Sequence, residues 1–267
     1  MKYALFAIAA GVLLAADPSA ADIMKKVAEN QDREQKERAR FIYEENIRVT
    51  TRRSNGKLAR EEITDLLVTP TPTGTEKKRQ SIHGRYWHKG RYLDFSGDPV
   101  PDSGGLDGSL TSGFRDDLTN ADSKDGIGKN LFPLTNEEQN DLKFELVAKQ
   151  IVAGRSAYRI RLGPIDTKQF AWTGEALIDE KESQPISVYT RMSRRIPLFV
   201  RTLLGTDVPG LGFSVKYSRV DDGVWFPVSF GTEFRLHAVF FINRTITVSM
   251  ANKNFRRATA DSSILYQ

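Results

Sequence analysis

Short segments that alternate apolar and polar residues follow one another along this chain, with a turn signal between the members of each pair. The first segment runs from Phe41 to Val49, and its alternation predicts a strand because successive strand side chains point to opposite faces. Ser54-Asn55-Gly56-Lys57 follows it, and Asn-Gly accepts the positive φ angles of a tight type I′ turn. The segment from Ile63 to Val68 should therefore return antiparallel to the first.

Three further turn signals separate later pairs of segments: Val152 to Arg155, Glu180 to Gln184, and Asp221 to Gly223. Strands that follow one another at hairpin distance form an antiparallel meander, because parallel neighbours require long crossover connections. We therefore predict a mainly β (α+β) fold, an incomplete antiparallel β-barrel or strongly curved sheet with a helical lid on its concave side.

Three stretches depart from the alternation. Asp22 to Arg40 predicts a helix capped by Asp22, of which only the first half is apolar enough to pack on a core. Ser96 to Asn140 is a long polar loop, interpreted as a mobile flap or partly disordered, with a short helix over Thr135 to Asp141. Ile196 to Leu204 is apolar, and it predicts either a helix over the mouth of the sheet or a buried connection.

The N-terminus has the three parts of a secretory signal. Lys2 provides the positive charge, Ala4 to Ala16 the apolar run, and Ser19-Ala20-Ala21 the small residues. The run is shorter than the roughly 20 residues that span a bilayer. We predict a signal peptide over 1–21 that is cleaved after Ala21, a periplasmic location, and a single β domain over 22–267. An uncleaved anchor is the alternative.

Composition restricts the available chemistry. The chain has no cysteine, which excludes disulfides, thiolate catalysis and thiolate metal sites. His83 and His88 are five residues apart and fall on opposite faces of a strand, and His237 lies in a strand-like segment. No nucleophile elbow, phosphate-binding loop or zinc motif occurs. We predict no enzyme activity, no metal and no cofactor.

Basic residues exceed acidic ones by a small margin, 39 against 34. Some of the basic residues form short clusters along the chain. Solvated strand ends and loop tips explain these clusters, and attraction to anionic lipid headgroups or acidic envelope polymers is the functional alternative. We predict peripheral membrane contact as an option and no nucleic-acid binding. The clusters are Arg52-Arg53, Lys77-Lys78-Arg79, Arg194-Arg195 and Arg256-Arg257.

With catalytic and metal-binding motifs excluded, aromatic and aliphatic side chains are the residues that could form a binding site. They predict a hydrophobic cavity for an acyl chain on the concave side of the sheet, and a filled core is the alternative. The candidate cavity and lid residues are Trp172, Phe199, Leu203, Leu204, Trp225, Phe230, Phe234 and Phe240.

Three segments resemble a known family. They are Gly154-Arg155-x-x-Tyr158-Arg159-Ile160, Trp172 to Asp179, and Tyr217 to Pro227, and they are similar to exported bacterial proteins of the outer-membrane lipoprotein-sorting (LolA/LolB-like) type. The resemblance implies an incomplete β-barrel around a hydrophobic cavity, with Ile196 to Leu204 as its lid. It also implies either binding of a lipid or lipoprotein acyl chain, or envelope-stress sensing or assembly through a protein partner.

Overall fold

We describe a computed structural model of the chain, which defines residues 18–71, 74–97, 105–119, 134–166, 172–192, 206–207, 212–220, 223–238 and 242–258. The elements in chain order are α1 (Ala20–Arg38), β1 (Phe41–Arg53), β2 (Leu58–Thr71), β3 (Gly74–His88), β4 (Arg91–Ser96), α2 (Gly105–Thr119), α3 (Asn136–Gln139), β5 (Leu142–Val152), β6 (Arg155–Pro164), β7 (Trp172–Asp179), β8 (Pro185–Met192), β9 (Thr206–Asp207), β10 (Gly212–Arg219), β11 (Trp225–Ala238) and β12 (Ile242–Arg257).

One antiparallel sheet contains all the strands. Its order is β4-β3-β2-β1-β12-β11-β10-β8-β7-β6-β5, and the short β9 pairs with β11. Within the described strands, β4 and β5 end this order and do not pair with each other, so the sheet stays open. This confirms the predicted mainly β, antiparallel and incompletely closed architecture.

Both long helices lie on one face of the sheet. Helix α1 approaches both β5 and β11, and α2 approaches β1 and β2. Five strand spacings of about 4.8 Å separate β5 from β11, so the sheet curves around α1. We call the face that carries the helices the concave face and the opposite one the outer face.

Most of the buried apolar side chains lie between the concave face and the helices. Their alternation along the strands explains this, since every second residue of β6, β7 and β12 faces the helices. The strand members of this core include Ile47, Val49, Leu66, Ile160, Ala176, Ile178, Val188, Val215, Phe230, Phe234, Ile246, Val248 and Met250.

The turn after β1 differs from the predicted type. Gly56 has a φ of 77°, but Asn55 is not among the described residues with positive φ. Arg53 N donates to Lys57 O at 2.9 Å, and Gly56 N donates to Arg53 O at 2.8 Å. The loop therefore has three residues with Gly56 in the left-handed region, and the type I′ prediction was wrong. Ala153 and Gly154 both have positive φ, as a type I′ turn requires.

Helix α1 also corrects the sequence analysis in two ways. It begins at Ala20, and its cap is Ser19, whose side chain accepts a hydrogen bond from Asp22 N at 3.2 Å; Asp22 is therefore not the cap. The second half is buried as well, through Gln31 and Arg38. Packing of that half depends on polar contacts, which an apolar pattern does not detect.

Several elements were not predicted. Helix α2 lies inside the stretch from 96 to 140 that was interpreted as a flap, although Leu110 and Phe114 have helical spacing. Strands β3, β4 and β12 were also missed, and β12 carries a clear alternation of Ile246, Val248 and Met250. The predicted short helix near Thr135 is present as α3.

The register divides the turns between two ends of the sheet. Arg53 pairs with Arg244, and the turns after β1 and β3 lie at this end, which we call the tip end. The turns after β5, β7 and β10 lie at the opposite end, which we call the network end.

Candidate functional site

Helix α2 covers part of the apolar concave face. Leu110 and Phe114 pack against the main core, and the ring of Phe114 meets that of Phe234 edge to face at 5.3 Å. Val49 and Ile246 belong to the same core. Apolar contacts and an aromatic pair therefore attach α2 to the concave face.

Two ion pairs hold α2 to the sheet. Arg244 Nε donates to Asp107 Oδ1 at 2.6 Å, near the start of the helix. Arg115 Nη1 donates to Glu62 Oε1 at 2.8 Å, and Glu62 is 1% exposed. Each pair joins the helix to a different strand, so together they fix its position on the concave face.

The composition of α2 gives it little intrinsic helix stability. Gly108 and Gly113 lie inside it, and glycine costs about 1 kcal/mol relative to alanine in a helix interior. The hydroxyls of Thr111 and Ser112 donate to carbonyls of the preceding turn, at 3.0–3.1 Å and 2.8 Å. Packing and ion pairs, rather than helix propensity, therefore keep α2 formed.

Buried charge lies beside the apolar floor. Arg60 is fully buried and donates to Glu62 Oε2 at 3.0 Å. Its guanidinium lies over the rings of Phe95 at 4.6 Å and Tyr86 at 5.7 Å. The concave face thus joins an apolar region on β11 and β12 to a charged region on β2 and β3.

The predicted cavity residues occupy three different environments. Phe230 and Phe234 are buried in the main core. Trp172 is half-buried and packs edge to face on Phe213 at 5.3 Å. Trp225 is buried at the network end. The remaining candidates lie outside the described residues: Phe199, Leu203, Leu204, Phe240 and the predicted lid from Ile196 to Leu204.

The three segments that carry the family resemblance meet at the network end. Arg155 Nε donates to Asp179 Oδ2 at 2.6 Å, and Arg155 Nη2 donates to Glu182. Trp225 Nε1 donates to Glu182 Oε2 at 2.8 Å, and the guanidinium of Arg155 lies 5.4 Å from the centre of the Trp225 ring. These side chains thus tie three turns together, and Glu182 is the shared acceptor that was not predicted from the sequence.

The hydrogen-bond network of Arg155, Asp179, Glu182 and Trp225 shifts two pKa values. Burial alone would raise the pKa of Glu182, but hydrogen bonds from Trp225 and Arg155 outweigh it and hold the pKa below its usual value. Hydrogen bonds to Asp179 and Glu182 raise the pKa of Arg155. Both shifts favour the charged forms of Glu182 and Arg155.

The second half of α1 is anchored to the same end. Gln31 Nε2 donates to Gln184 Oε1 at 2.7 Å, and Gln184 donates to Glu34 Oε1 at 3.1 Å. Trp225 N donates to Glu34 Oε2 at 3.1 Å, and Arg38 Nη1 donates to Trp225 O at 2.9 Å. These buried contacts fix the helix against the turns of the network end.

His83 and His88 lie apart on β3. His83 and His88 pair with Ser96 and Arg91 across the β3–β4 hairpin, and they fall on opposite faces of β3. Near His83, Ser81 Oγ donates directly to Asp65 Oδ2 at 2.6 Å. Within the described residues, no group of three or more potential ligands could hold a metal ion, and no helix is long and apolar enough to cross a membrane.

An open depression of about 710 Å³ lies on the outer face over β5 to β8. Gly163 and Thr173 line its floor, and Arg161 and Arg191 stand at its rim. Tyr189 also lines it and is 49% exposed. This depression is separate from the surface under α2.

No family model matches the sequence, and a search of curated proteins finds no relative. Several solved structures match most of the chain at low identity. A DUF1329 family protein from Desulfovibrio piger has a TM-score of 0.40 and 11% identity, with 94% of this chain and 98% of that chain covered. A LolA superfamily protein from Nitrosomonas europaea has a TM-score of 0.32 and 10% identity, with 94% and 98% covered.

A protein domain from Vibrio parahaemolyticus described as outer membrane lipoprotein-sorting has a TM-score of 0.36 and 11% identity, with 89% of this chain and 94% of that chain covered. At these identities and TM-scores, no function and no residue's role is transferred from these structures to this chain.

Proposed function

We propose that this protein is a periplasmic carrier that shelters a lipid or lipoprotein acyl chain between helix α2 and the concave face. The observation that carries the proposal is the combination of an apolar floor with a cover that has low helix propensity. Leu110 and Phe114 are the described apolar side chains that α2 adds to the core, and the two ion pairs of Asp107 and Arg115 complete its attachment.

The free energy of burying apolar surface favours a ligand in place of the contacts that α2 makes with the concave face. Burying Leu110 and Phe114 contributes about 1.5–3 kcal/mol each. An acyl chain that buries twelve methylenes gains about 10 kcal/mol, at ~0.8 kcal/mol per methylene. A bound chain would therefore more than replace the apolar contacts of α2, and it needs no specific polar contact to do so.

The proposed location follows from the N-terminal signal predicted in the sequence. Acyl chains of envelope lipoproteins are present in that compartment, and a soluble carrier must cover them. Cleavage after Ala21 would remove the Ser19 cap and the first two helical residues, Ala20 and Ala21. N-terminal sequencing of the mature protein therefore locates the cleavage point relative to this cap.

Native mass spectrometry of protein purified from envelope extracts, together with titration of a fluorescent fatty-acyl probe, tests the carrier function. We expect one lipid or probe per chain.

The variants Arg115→Gln and Asp107→Asn each weaken one ion pair between α2 and the sheet. If the closed state loses about 1 kcal/mol of stability relative to the open state, the open population rises roughly fivefold. The rate of probe uptake should rise in proportion.

Arg161→Gln is the matched control, because it removes an exposed ion pair with Glu145 on the outer face. Its uptake rate should equal that of the wild type. No co-purifying lipid combined with no probe binding would contradict the carrier function. Equal uptake rates in all variants would contradict the role of α2 as the cover.

The second candidate function is envelope-stress sensing or assembly through a protein partner. The observation that favours it is the outer-face depression next to β5, a strand of 11 residues at the end of the sheet order. Such a strand accepts an extended peptide by edge pairing. Photo-crosslinking in cells from Tyr189 or Ile151 tests it, and capture of one defined protein regardless of lipid loading would favour it over the carrier.

A further inference from the structure

Two neighbouring hairpin turns form a projecting surface at the tip end. The turn after β1 and the turn after β3 lie side by side, because Arg60 pairs with Tyr86 across β2 and β3. We define the basic tip as residues 52–58 and 85–92. Its turn residues 54–57 and 88–91 are all exposed, so this surface is convex and faces solvent.

The basic tip holds the entire positive charge excess of the chain. Its cations are Arg52, Arg53, Lys57, Arg85, Lys89 and Arg91, and neither range contains an acidic residue. The chain has 39 basic and 34 acidic side chains; without these six, 33 basic residues stand against 34 acidic ones. Of the six, Arg85 is within 3.6 Å of Glu61 on β2.

Two aromatic rings lie among these cations. Trp87 and Tyr92 pack edge to face at 5.0 Å and 73°. The Tyr92 hydroxyl donates to Leu58 O at 3.1 Å, which joins the two hairpins, and Tyr92 is 42% exposed. Arg53 lies 6.0 Å from the centre of the Trp87 ring. The aromatic pair is therefore held rigidly at the surface.

We propose that the basic tip docks the protein on the surface of an anionic phospholipid bilayer. Trp and Tyr favour the membrane–water interface because their rings are apolar and their N–H and O–H groups are polar. Cations near an anionic leaflet add about tenfold in affinity for every one to two residues. The rings and the cations of the basic tip supply both contributions on one surface.

The shape and the ring contacts favour a membrane over a nucleic acid or an acidic peptide. Those partners are usually held in a groove or stacked on open ring faces. The basic tip is convex, Arg53 occupies a face of Trp87, and Tyr92 stands across that ring. Insertion at an interface needs only accessible ring edges and exposed cations.

Docking by the basic tip does not depend on the carrier function, since α2 and its ion pairs lie on the concave face. Flotation with vesicles of phosphatidylglycerol and phosphatidylcholine tests it directly. We expect binding at low salt, no binding to pure phosphatidylcholine, and weakening as ionic strength rises. K89Q/R91Q should weaken vesicle affinity roughly 30-fold.

K181Q/K216Q is the matched control, because it removes the same charge from two exposed lysines outside the basic tip. It should bind vesicles like the wild type. Vesicles with brominated acyl chains should quench the tryptophan fluorescence of the wild type, and W87F should lose that quenching.

The docking proposal is overturned by absence of binding to the anionic vesicles, by equal losses in K89Q/R91Q and the control, or by quenching that W87F retains. Binding to soluble polyphosphate without binding to vesicles would also overturn it. If vesicle docking persists while acyl-probe binding is absent, the carrier function fails and the docking surface stands.

Discussion

The two ends of the sheet use the same residue types for opposite purposes. At the network end the guanidinium of Arg155 lies 5.4 Å from the ring centre of Trp225. At the tip end the guanidinium of Arg53 lies 6.0 Å from the ring centre of Trp87. The difference is the carboxylate: Glu182 accepts hydrogen bonds from both Trp225 and Arg155, whereas the basic tip contains no acidic residue.

A shared acceptor turns an arginine–tryptophan pair into a structural joint. With Glu182 present, both donors are satisfied within the protein and three turns are held together. At the tip end Arg85 is paired with Glu61, whereas Lys57, Lys89 and Arg91 are exposed and remain available to an outside partner. The environment of a pair, more than its residue types, therefore determines whether it stabilises the fold or forms a surface for binding.

The largest expected effect at the network end is that of Arg38→Met. Arg38 is 5% exposed and donates to Trp225 O at 2.9 Å. Removing a buried charged donor and leaving its carbonyl acceptor unpaired costs about 1.5–3 kcal/mol. Urea unfolding followed by circular dichroism measures the free energy of unfolding.

Arg53→Met is the control at the tip end and should change the free energy of unfolding by less than about 0.5 kcal/mol. Equal losses in the two variants would remove the contrast between the ends. A loss below about 1 kcal/mol for Arg38→Met would indicate that the second half of α1 is not anchored by this network.

The second prediction concerns Glu182→Gln and its dependence on pH. The pKa of Glu182 lies below its usual 4.5 in the folded protein, so the carboxylate contributes stability above about pH 4.5 that is lost as the pH falls through the folded pKa. The variant should be less stable than the wild type at pH 7 by about 1–2 kcal/mol, since hydrogen bonds to a charged group weaken.

That difference should shrink as the pH falls below 4.5. Urea unfolding of both proteins between pH 3 and 7 checks it. A stability difference that stays constant over this range would contradict the role of the ionised carboxylate. A difference that grows as the pH falls would mean that the pKa of Glu182 is raised in the folded protein instead of lowered.

Local patterns predicted much of the sheet. Alternation and turn residues located β1, β2, β5 to β8, β10 and β11, because both signals act within a few residues. The same signals were available for β12. The type of the turn at Asn55-Gly56 was not predicted correctly, since Asn-Gly also suits a three-residue loop and cross-strand pairing selects between them.

The candidate site was less accessible to sequence reasoning. Phe230 and Phe234 were predicted to line a cavity on the concave side, because they are aromatic residues of strand-like segments, and both lie in the main core. The partners of α2 could not be predicted. Glu62 and Arg115 are 53 residues apart, and each is a charged residue of a type that usually lies at the surface. Contacts at that separation depend on the order of the strands, which alternation does not determine.

The third prediction tests α2 as a movable cover. In Arg115→Gln the helix keeps Leu110, Phe114 and the Asp107 pair, and the buried Glu62 carboxylate keeps its hydrogen bond from Arg60. The global free energy of unfolding should therefore fall by about 1 kcal/mol. Amide hydrogen exchange of residues 105–119 should accelerate roughly fivefold. Amides of β7 and β8 that exchange by local opening are the internal reference and should not change, whereas acceleration of these amides as well would indicate general destabilisation.

The smallest expected effect is that of Lys89→Gln on the free energy of unfolding. The basic tip brings six cations together without an acidic residue, and like charges within a Debye length of about 10 Å at 0.1 M salt repel one another. Neutralising one of them should stabilise the fold by a few tenths of a kcal/mol. The gain should disappear at 1 M salt, where the Debye length is about 3 Å, and urea unfolding at both concentrations measures it.

The loss caused by Glu182→Gln should persist at 1 M salt, because direct hydrogen bonds are screened less than charges spread over a surface. A salt-independent gain from Lys89→Gln would mean that its charge is already compensated within the protein, and the contrast between the two ends would then be one of exposure alone.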